Sequence, residues 1–324
     1  MKRREFIAGL GGAAAVSAWP LAAWAQPATI PTIGYLQRTN PVRTDFEDFR
    51  DGLKALGYEQ GRNIRIEQRY AGLDDNKLRA FAQELVNMNV KAIVVDGTFS
   101  IRTVMTATKT IPIVSTLISG PTQFGIDNLA RPGGNLTGLS SFADDLEGKR
   151  LELLEELIPG ARRIAMLLDR NSVNDTKMRV VENVAKAIGV EFQTFEAIGP
   201  DTWPNAFASI AAYRPDALMQ FPSGSFASGS RELAALAVAL GLPTMYGERE
   251  FVGAGGLMSY GINYSDQWRR AAGYVDRILK GAKAGELPIE QPVKFDLVIN
   301  LKAAAAIGVS VPTSIMLRAG EVIE

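Results

Sequence analysis

The chain has 324 residues, with 35 lysines plus arginines balanced by 35 aspartates plus glutamates, and it contains neither cysteine nor histidine. That balance leaves no electrostatic footprint for nucleic acid or an anionic membrane surface. Without cysteine and histidine there can be no disulfide, no lipid-bearing cysteine, no zinc or haem site of the usual ligands, and no Ser-His-Asp or Cys-His catalytic unit, so no cofactor is expected.

The first element in chain order is an address label. Lys2, Arg3 and Arg4 lead into an apolar run from Phe6 to Ala23, which closes on Ala23-Trp24-Ala25, the small-x-small pattern of a signal-peptidase site. Gly9-Leu10-Gly11-Gly12-Ala13-Ala14 has the form of a dinucleotide fingerprint, but the strand before it and the acidic residue about 20 positions on are missing. The glycines therefore belong to an export signal over residues 1–25, cleaved near Ala25. Arg3-Arg4 before Glu5-Phe6-Ile7 fits a twin-arginine (Tat) route; two arginines also occur in Sec signals, and both routes stay open. The mature protein is expected in the periplasm.

Beyond the signal, short β-rich runs alternate with helical patterns. Thr32 to Leu36 reads as a strand. Thr44-Asp45-Phe46-Glu47 forms a capping box, and Phe46, Phe49, Leu53 and Leu56 follow at helical spacing until Gly57. A strand over Ile64 to Glu67, a helix over Asp75 to Asn89, a buried strand over Ala92 to Val95, a helix near Ile101 to Lys109 and a strand over Ile113 to Ser115 come next. This order predicts a parallel sheet covered on both faces.

The order then recurs. Ile188-Gly189-Val190 answers Leu56-Gly57-Tyr58, Ala206-Phe207-Ala208 leads to Asp216 to Met219 as Ala80-Phe81-Ala82 leads to Lys91 to Val94, and Gly241 to Met245 answers Thr110 to Val114. Two similar Rossmann-like α/β lobes follow from this repeat. Asn135 to Ser141 and Gly255 to Gly261 are glycine-rich, extended and apolar, and read as crossovers in a multi-strand hinge. A helix over Ser265 to Lys280 and a strand over Lys294 to Asn300 have no partner in the repeat. The predicted organisation is a first lobe over 30–138, to which 262–290 returns, and a second lobe over 139–261, with 291–324 crossing again to a lobe the pattern leaves open.

The phrases RREFIAGLGGAAA, DGLKALGYEQGRNI, TIPIV, LARPGGNLTGLS, KRLELLEELIPGARRIA, EREFVGAGGLMSYG, RILKG and FDLVINLKAAAAIGVSVP run from the signal to the C-terminus. They resemble the ABC-transporter substrate-binding family that includes tryptophan- and tyrosine-binding members. The resemblance implies a type I periplasmic binding protein fold, a monomer that closes around a small-molecule solute and delivers it to an ABC permease in the inner membrane. The family commonly has Asp-Pro after its fourth strand; here the stretch reads Ser119-Gly120-Pro121.

Ligands of open α/β sheets bind outside the carboxyl ends of the strands, so the candidate site follows from those ends. In the first lobe they are Gln37, Arg38, Thr39 and Asn40; Asp96, Gly97, Thr98, Phe99 and Ser100; and Leu117, Ile118 and Ser119. In the second they are Asp169, Arg170 and Asn171; Phe221, Pro222, Ser223 and Ser225; Tyr246; and Tyr260. Thr98 and Ser100 also fit helix caps, Tyr246 and Tyr260 also fit packing under the hinge, and Arg249 fits a partner for a nearby carboxylate. Arg131 to Asn135 fits a turn better than a phosphate loop, because no lysine and helix follow it.

A helix starting after Thr98-Phe99-Ser100 would direct backbone N–H groups at a carboxylate, with Asp169 opposite for an ammonium group and Phe99, Phe221, Tyr246 and Tyr260 as flat walls. An α-amino acid or small carboxylate, aromatic or apolar, fits these features; a neutral solute that stacks and hydrogen-bonds is the competitor. Two other classes stay open. A solute-sensing receptor module shares the architecture, and a cofactor-free exported enzyme would use Asp96 and Asp169 as its acid/base pair.

Overall fold

The computed structural model describes residues 30–40, 45–141, 146–169 and 175–324. The expected export signal lies outside the described residues, as do Thr44, Arg170 and Asn171. Among the described residues no helix is long and apolar enough to cross a membrane.

The first half of the chain runs β1 (Thr32–Gln37), α1 (Asp45–Ala55), β2 (Arg65–Tyr70), α2 (Asp75–Asn87), β3 (Ile93–Val95), α3 (Gly97–Ala107), β4 (Ile113–Ile118) and β5 (Leu136–Ser140). The second runs α4 (Leu146–Leu157), β6 (Arg163–Leu168), α5 (Asp175–Ile188), β7 (Glu191–Glu196), α6 (Trp203–Tyr213), β8 (Ala217–Gln220), α7 (Gly224–Ser228), α8 (Ser230–Ala239), β9 (Thr244–Tyr246), α9 (Arg249–Gly253) and β10 (Met258–Ile262). The remainder is α10 (Tyr264–Leu279), β11 (Ile289–Glu290), β12 (Phe295–Asn300), α11 (Leu301–Ala306), α12 (Thr313–Met316) and β13 (Glu321–Ile323).

Local chemistry accounts for the individual elements. Helix α1 carries Asp45, Glu47 and Asp48 in its first turn and Lys54 in its last, each complementing the helix dipole, while Phe46, Phe49 and Leu53 are buried along one face. The Asp74 side chain caps α2 by accepting from the N–H groups of Asn76 and Lys77 at 2.9 and 3.0 Å. Strands β1 and β3 alternate: Ile33, Tyr35 and Val94 face the core that holds Trp268 and Phe49, and Leu36, Ile93 and Val95 face the core that holds Leu78 and Val104. Strand β6 alternates likewise between two cores of its own sheet.

The repeat read from the sequence is visible in the sheets. Their orders are β11-β5-β4-β3-β1-β2 and β13-β12-β10-β9-β8-β6-β7. Without the C-terminal additions, one sheet reads 5-4-3-1-2 and the other 10-9-8-6-7, the same path traced twice. Every neighbouring pair is parallel except β10 with β12, where Ile262 faces Phe295 and Met258 faces Ile299.

The chain passes between the sheets three times: between Ser140 and Leu146, between Ile262 and Tyr264, and between Glu290 and Phe295. Helix α10 packs on α1 and on β4 and β5, while β12 and β13 join the second sheet. The stretches Asn135 to Ser141 and Gly255 to Gly261 prove to contain sheet strands that end where the first two passages begin. Strand β5 depends on Gly138, whose φ is 131° and whose added Cβ would overlap the Ser115 carbonyl, at the point where β4 and β5 shift register. Arg131 to Asn135 is a turn: Gly133 N donates to Gly285 O at 3.0 Å, and β5 follows.

Candidate functional site

In each sheet the strand order reverses once, between β1 and β3 and between β6 and β8, and the carboxyl ends beside such a reversal form a crevice. The polar candidates gather there. With its amide turned so that nitrogen faces the carboxylate, buried Gln37 at the end of β1 donates to Asp96 at the end of β3, 2.7 Å from Oδ1 and 3.2 Å from Oδ2. At the equivalent place in the second sheet, buried Asp169 after β6 accepts from Ser225 Oγ at 2.7 Å and Ser223 Oγ at 3.4 Å, both from the segment after β8. Ser223 also caps α7, accepting from Phe226 N at 3.2 Å.

Helix α3 begins earlier than its sequence suggests. The cap position is Asp96, and the helix proper starts at Gly97, whose φ of 67° turns the chain from strand into helix. Thr98 and Ser100, candidate ligand contacts with helix capping as the alternative, sit inside the first turns and not at the cap, and Ser100 is buried. The N–H groups of Gly97, Thr98 and Phe99 have no acceptor within the helix, so the carboxyl end of β3 presents donors and the positive end of a dipole. Phe99 is 39 % exposed, a large fraction for a phenylalanine. The Arg38 guanidinium lies 4.7 Å from its ring centroid and is held there by Asp75, Nε to Oδ1 at 3.0 Å.

The remaining candidates divide. Asn40 is exposed beside Gly72, and Thr39 is exposed. Ser119 shares a hydrogen bond with Ser141, Oγ to Oγ at 2.7 Å, on the loop where Gly120 has φ of 58°. Ile118 is a core residue and Leu117 is half-buried. Tyr260 is half-buried and packs against Phe295 with ring centroids 6.1 Å apart.

Two expected walls are corrected. Phe221 is 1 % exposed, enclosed among Met219, Met258 and Leu154. Tyr246 is 2 % exposed and stacks on Phe251 at 4.6 Å, and burial pushes its hydroxyl pKa well up. Each side chain points into a core beneath its strand end, because both faces of the second sheet are covered and either phase of the alternation leads into packing. Arg249, in contrast, pairs with Glu321 as expected, Nη2 to Oε1 at 2.5 Å.

Arg150 was not singled out from the sequence. It is 3 % exposed, lies 3.4 Å from Glu147 Oε1, and donates from Nε to the Tyr260 carbonyl at 2.7 Å. Gly247 and Gly261 leave room for it: a Cβ on Gly247 would lie 3.2 Å from Arg150 Cζ, and one on Gly261 would overlap the Gly247 carbonyl and lie 3.9 Å from Nη2. The available signal was two charged residues, Glu147 and Arg150, at i and i+3 in the buried stripe that continues to Leu154 and Leu157.

Residues 42–323 match the family model described as ABC transporter substrate binding protein. A tyrosine-binding protein of Clostridioides difficile is 27% identical over 255 residues, 78% of this chain and 73% of its own length. A conserved domain protein from Vibrio cholerae has a crystal structure similar to this one at a TM-score of 0.79, with 25% identity over 90% of this chain and 99% of that one. An ABC domain from Streptococcus pneumoniae, solved in complex with L-Trp, superposes at a TM-score of 0.81 with 24% identity over the same shares.

Proposed function

The chain belongs to the ABC transporter substrate-binding protein family, with the fold of type I periplasmic binding proteins, and from that premise we propose that it is the periplasmic component of an importer, closing around an amino acid or small carboxylate with an aromatic side chain and delivering it to a membrane permease. The family and its relatives are binding proteins, which sets aside the enzyme alternative.

One observation carries the ligand class: the first N–H groups of α3, which have no acceptor within the helix, stand beside the exposed ring of Phe99 and the stacked Arg38 guanidinium. Helix N-termini bind carboxylates, and an exposed aromatic face takes a flat side chain. The name of the Clostridioides relative and the ligand of the Streptococcus structure support the same class. Gln37, Arg38, Asn40, Asp96, Gly97, Thr98, Phe99 and Ser119 form the first-lobe half of the site in this reading, and Asp169, Ser223 and Tyr260 the second. Ser100 supports it from inside α3.

A thermal-shift panel tests the reading, since a ligand selective for the folded state raises the melting temperature by mass action. L-Tyrosine, L-tryptophan and aromatic carboxylates are expected to raise it; a panel in which only neutral solutes do so would overturn the carboxylate. Export is tested separately. Replacing Arg3 and Arg4 by lysine is expected to block export on the twin-arginine route, and full-length protein in the cytoplasm of the unaltered strain would contradict a periplasmic location.

A further inference from the structure

Helix α10 starts one residue after the second passage and lies on the first lobe, and its opening turns touch all three passages. At the first, Gln267 Nε2 donates to the Ser140 carbonyl at 3.2 Å and the Thr116 carbonyl at 3.4 Å. At the second, Asn263 caps the helix, accepting from Asp266 N at 2.6 Å, and its own N–H donates to Lys294 O at 3.0 Å. At the third, Arg270 donates from Nη2 to Glu290 Oε2 at 2.6 Å and from Nη1 to Gln291 O at 3.2 Å, while Lys294 Nζ pairs with Asp266 Oδ1 at 2.7 Å. Arg270 Nη1 also reaches Gln267 Oε1 at 3.4 Å, which joins the contacts into one network.

The placement follows from helix geometry. Residues 263, 266, 267 and 270 fall on one face at three- and four-residue spacing, so a single stripe of α10 meets passages separated by more than a hundred residues of chain. Gln267 is 1 % exposed, and a buried amide that lost its carbonyl acceptors would leave donors unsatisfied, so this contact persists while the helix stays docked.

We propose that Gln267 and Arg270 are positioning residues of the hinge: they bind the first-lobe ends of the three passages into one block, so that the lobes turn about a common axis and no passage bends by itself. At the second and third passages bending then falls on the side nearer the second lobe. There β10 and β12 enter as a hydrogen-bonded pair, and Arg150 ties β10 to α4, the helix that follows the first passage. This rests on the two-lobed binding reading only in that the lobes move; measured without ligand, its failure leaves the ligand assignment standing, and a wrong ligand leaves it untouched.

The chain has no cysteine. Two introduced at exposed positions, Ala80→Cys in α2 and Ala208→Cys in α6, therefore carry spin labels for an inter-lobe distance distribution in the ligand-free protein. Arg270→Met and Gln267→Leu are each expected to widen that distribution roughly twofold, and the double variant no further, because either change alone frees passages to bend separately. Tyr58→Phe, which removes the bond from Tyr58 to Asp276 at the far end of α10, is expected to leave the width unchanged. Arg270→Met, at a partly exposed side chain, keeps the test open should Gln267→Leu fail to fold. An unchanged width in Arg270→Met would overturn the proposal, as would equal widening by Tyr58→Phe, which would mark a general loosening of α10.

Discussion

Arg150 and Tyr260 stand 110 residues apart in sequence and are joined at 2.7 Å, the arginine Nε donating to the tyrosine carbonyl. The bond ties the first helix of the second lobe to the strand that leaves it, and the cation is almost wholly buried with Glu147 beside it. Breaking a buried pair by removing one partner costs about 3–5 kcal/mol, so Arg150→Met is expected to lose stability of that order in urea unfolding. Arg150→Met combined with Glu147→Leu is expected to recover most of the loss, because replacing both charges by apolar groups removes the desolvation penalty. A single variant within about 0.5 kcal/mol of the parent would show that the pair contributes nothing.

Phe99 is expected to matter for binding and little for folding. Its side chain is 39 % exposed and belongs to no buried core, so Phe99→Ala is expected to weaken L-tyrosine or L-tryptophan binding by about 0.5–1.5 kcal/mol, the value of one aromatic pairing, with the ligand-free melting temperature little changed. Titration calorimetry on both proteins reads this directly. Equal affinities would remove Phe99 from the site.

Gly138 supports the strand that leads into the first passage. Gly138→Ala puts a Cβ against the Ser115 carbonyl at a φ that side chains avoid, and both penalties apply. The expected loss is about 2–5 kcal/mol, seen as a lower urea midpoint with unchanged slope. A loss below about 1 kcal/mol would mean that β4 and β5 separate easily there.

The chain has no histidine, so between about pH 5.5 and 8.5 its melting temperature is expected to stay nearly flat. Below that window stability falls. Hydrogen bonds from Ser314 and Arg318 hold the Glu156 carboxyl below the usual range; at Glu290 burial acts upward, but Arg270 and Tyr274 outweigh it and the net direction is again down. A carboxyl depressed in the folded state contributes fully above its unfolded value, about 4.3 for glutamate, and that contribution is lost as pH falls through the folded value. Burial raises the hydroxyls of Tyr35, Tyr246 and Tyr274 above the ordinary value of 10.0, so their contribution is complete below about pH 10 and is lost as pH rises beyond it. Melting scans across pH would refute this if the midpoint moved by more than about 3 °C between pH 6 and 8.

The sequence by itself determined the α/β class and the internal repeat, because apolar alternation in strands and 3.6-residue spacing in helices are local signals, and Leu56-Gly57 and Ile188-Gly189 mark equivalent helix ends in both halves. It also placed the ends of β1 and β3 to within one residue, whereas β2 and β4 run on to Tyr70 and Ile118, three residues past the ends that the apolar pattern marks.

Which way a strand-end side chain points was decided only by the tertiary structure. Phe99 and Phe221 both follow central strands, yet one ring is 39 % exposed and the other 1 %, because Phe99 lies in the first turn of α3 while Phe221 directly follows β8 and continues its alternation into the core with Ala217 and Met219. The same holds for Thr98 and Ser100, whose capping alternative fails because Gly97 at φ 67° sets the helix start back at Asp96. Arg150 finds the Tyr260 carbonyl, and Gln267 those of Thr116 and Ser140, across 110 to 151 residues of chain. No local pattern encodes such pairings: a backbone carbonyl is present at every residue, and only the packing of α4 and α10 selects which one a buried donor meets.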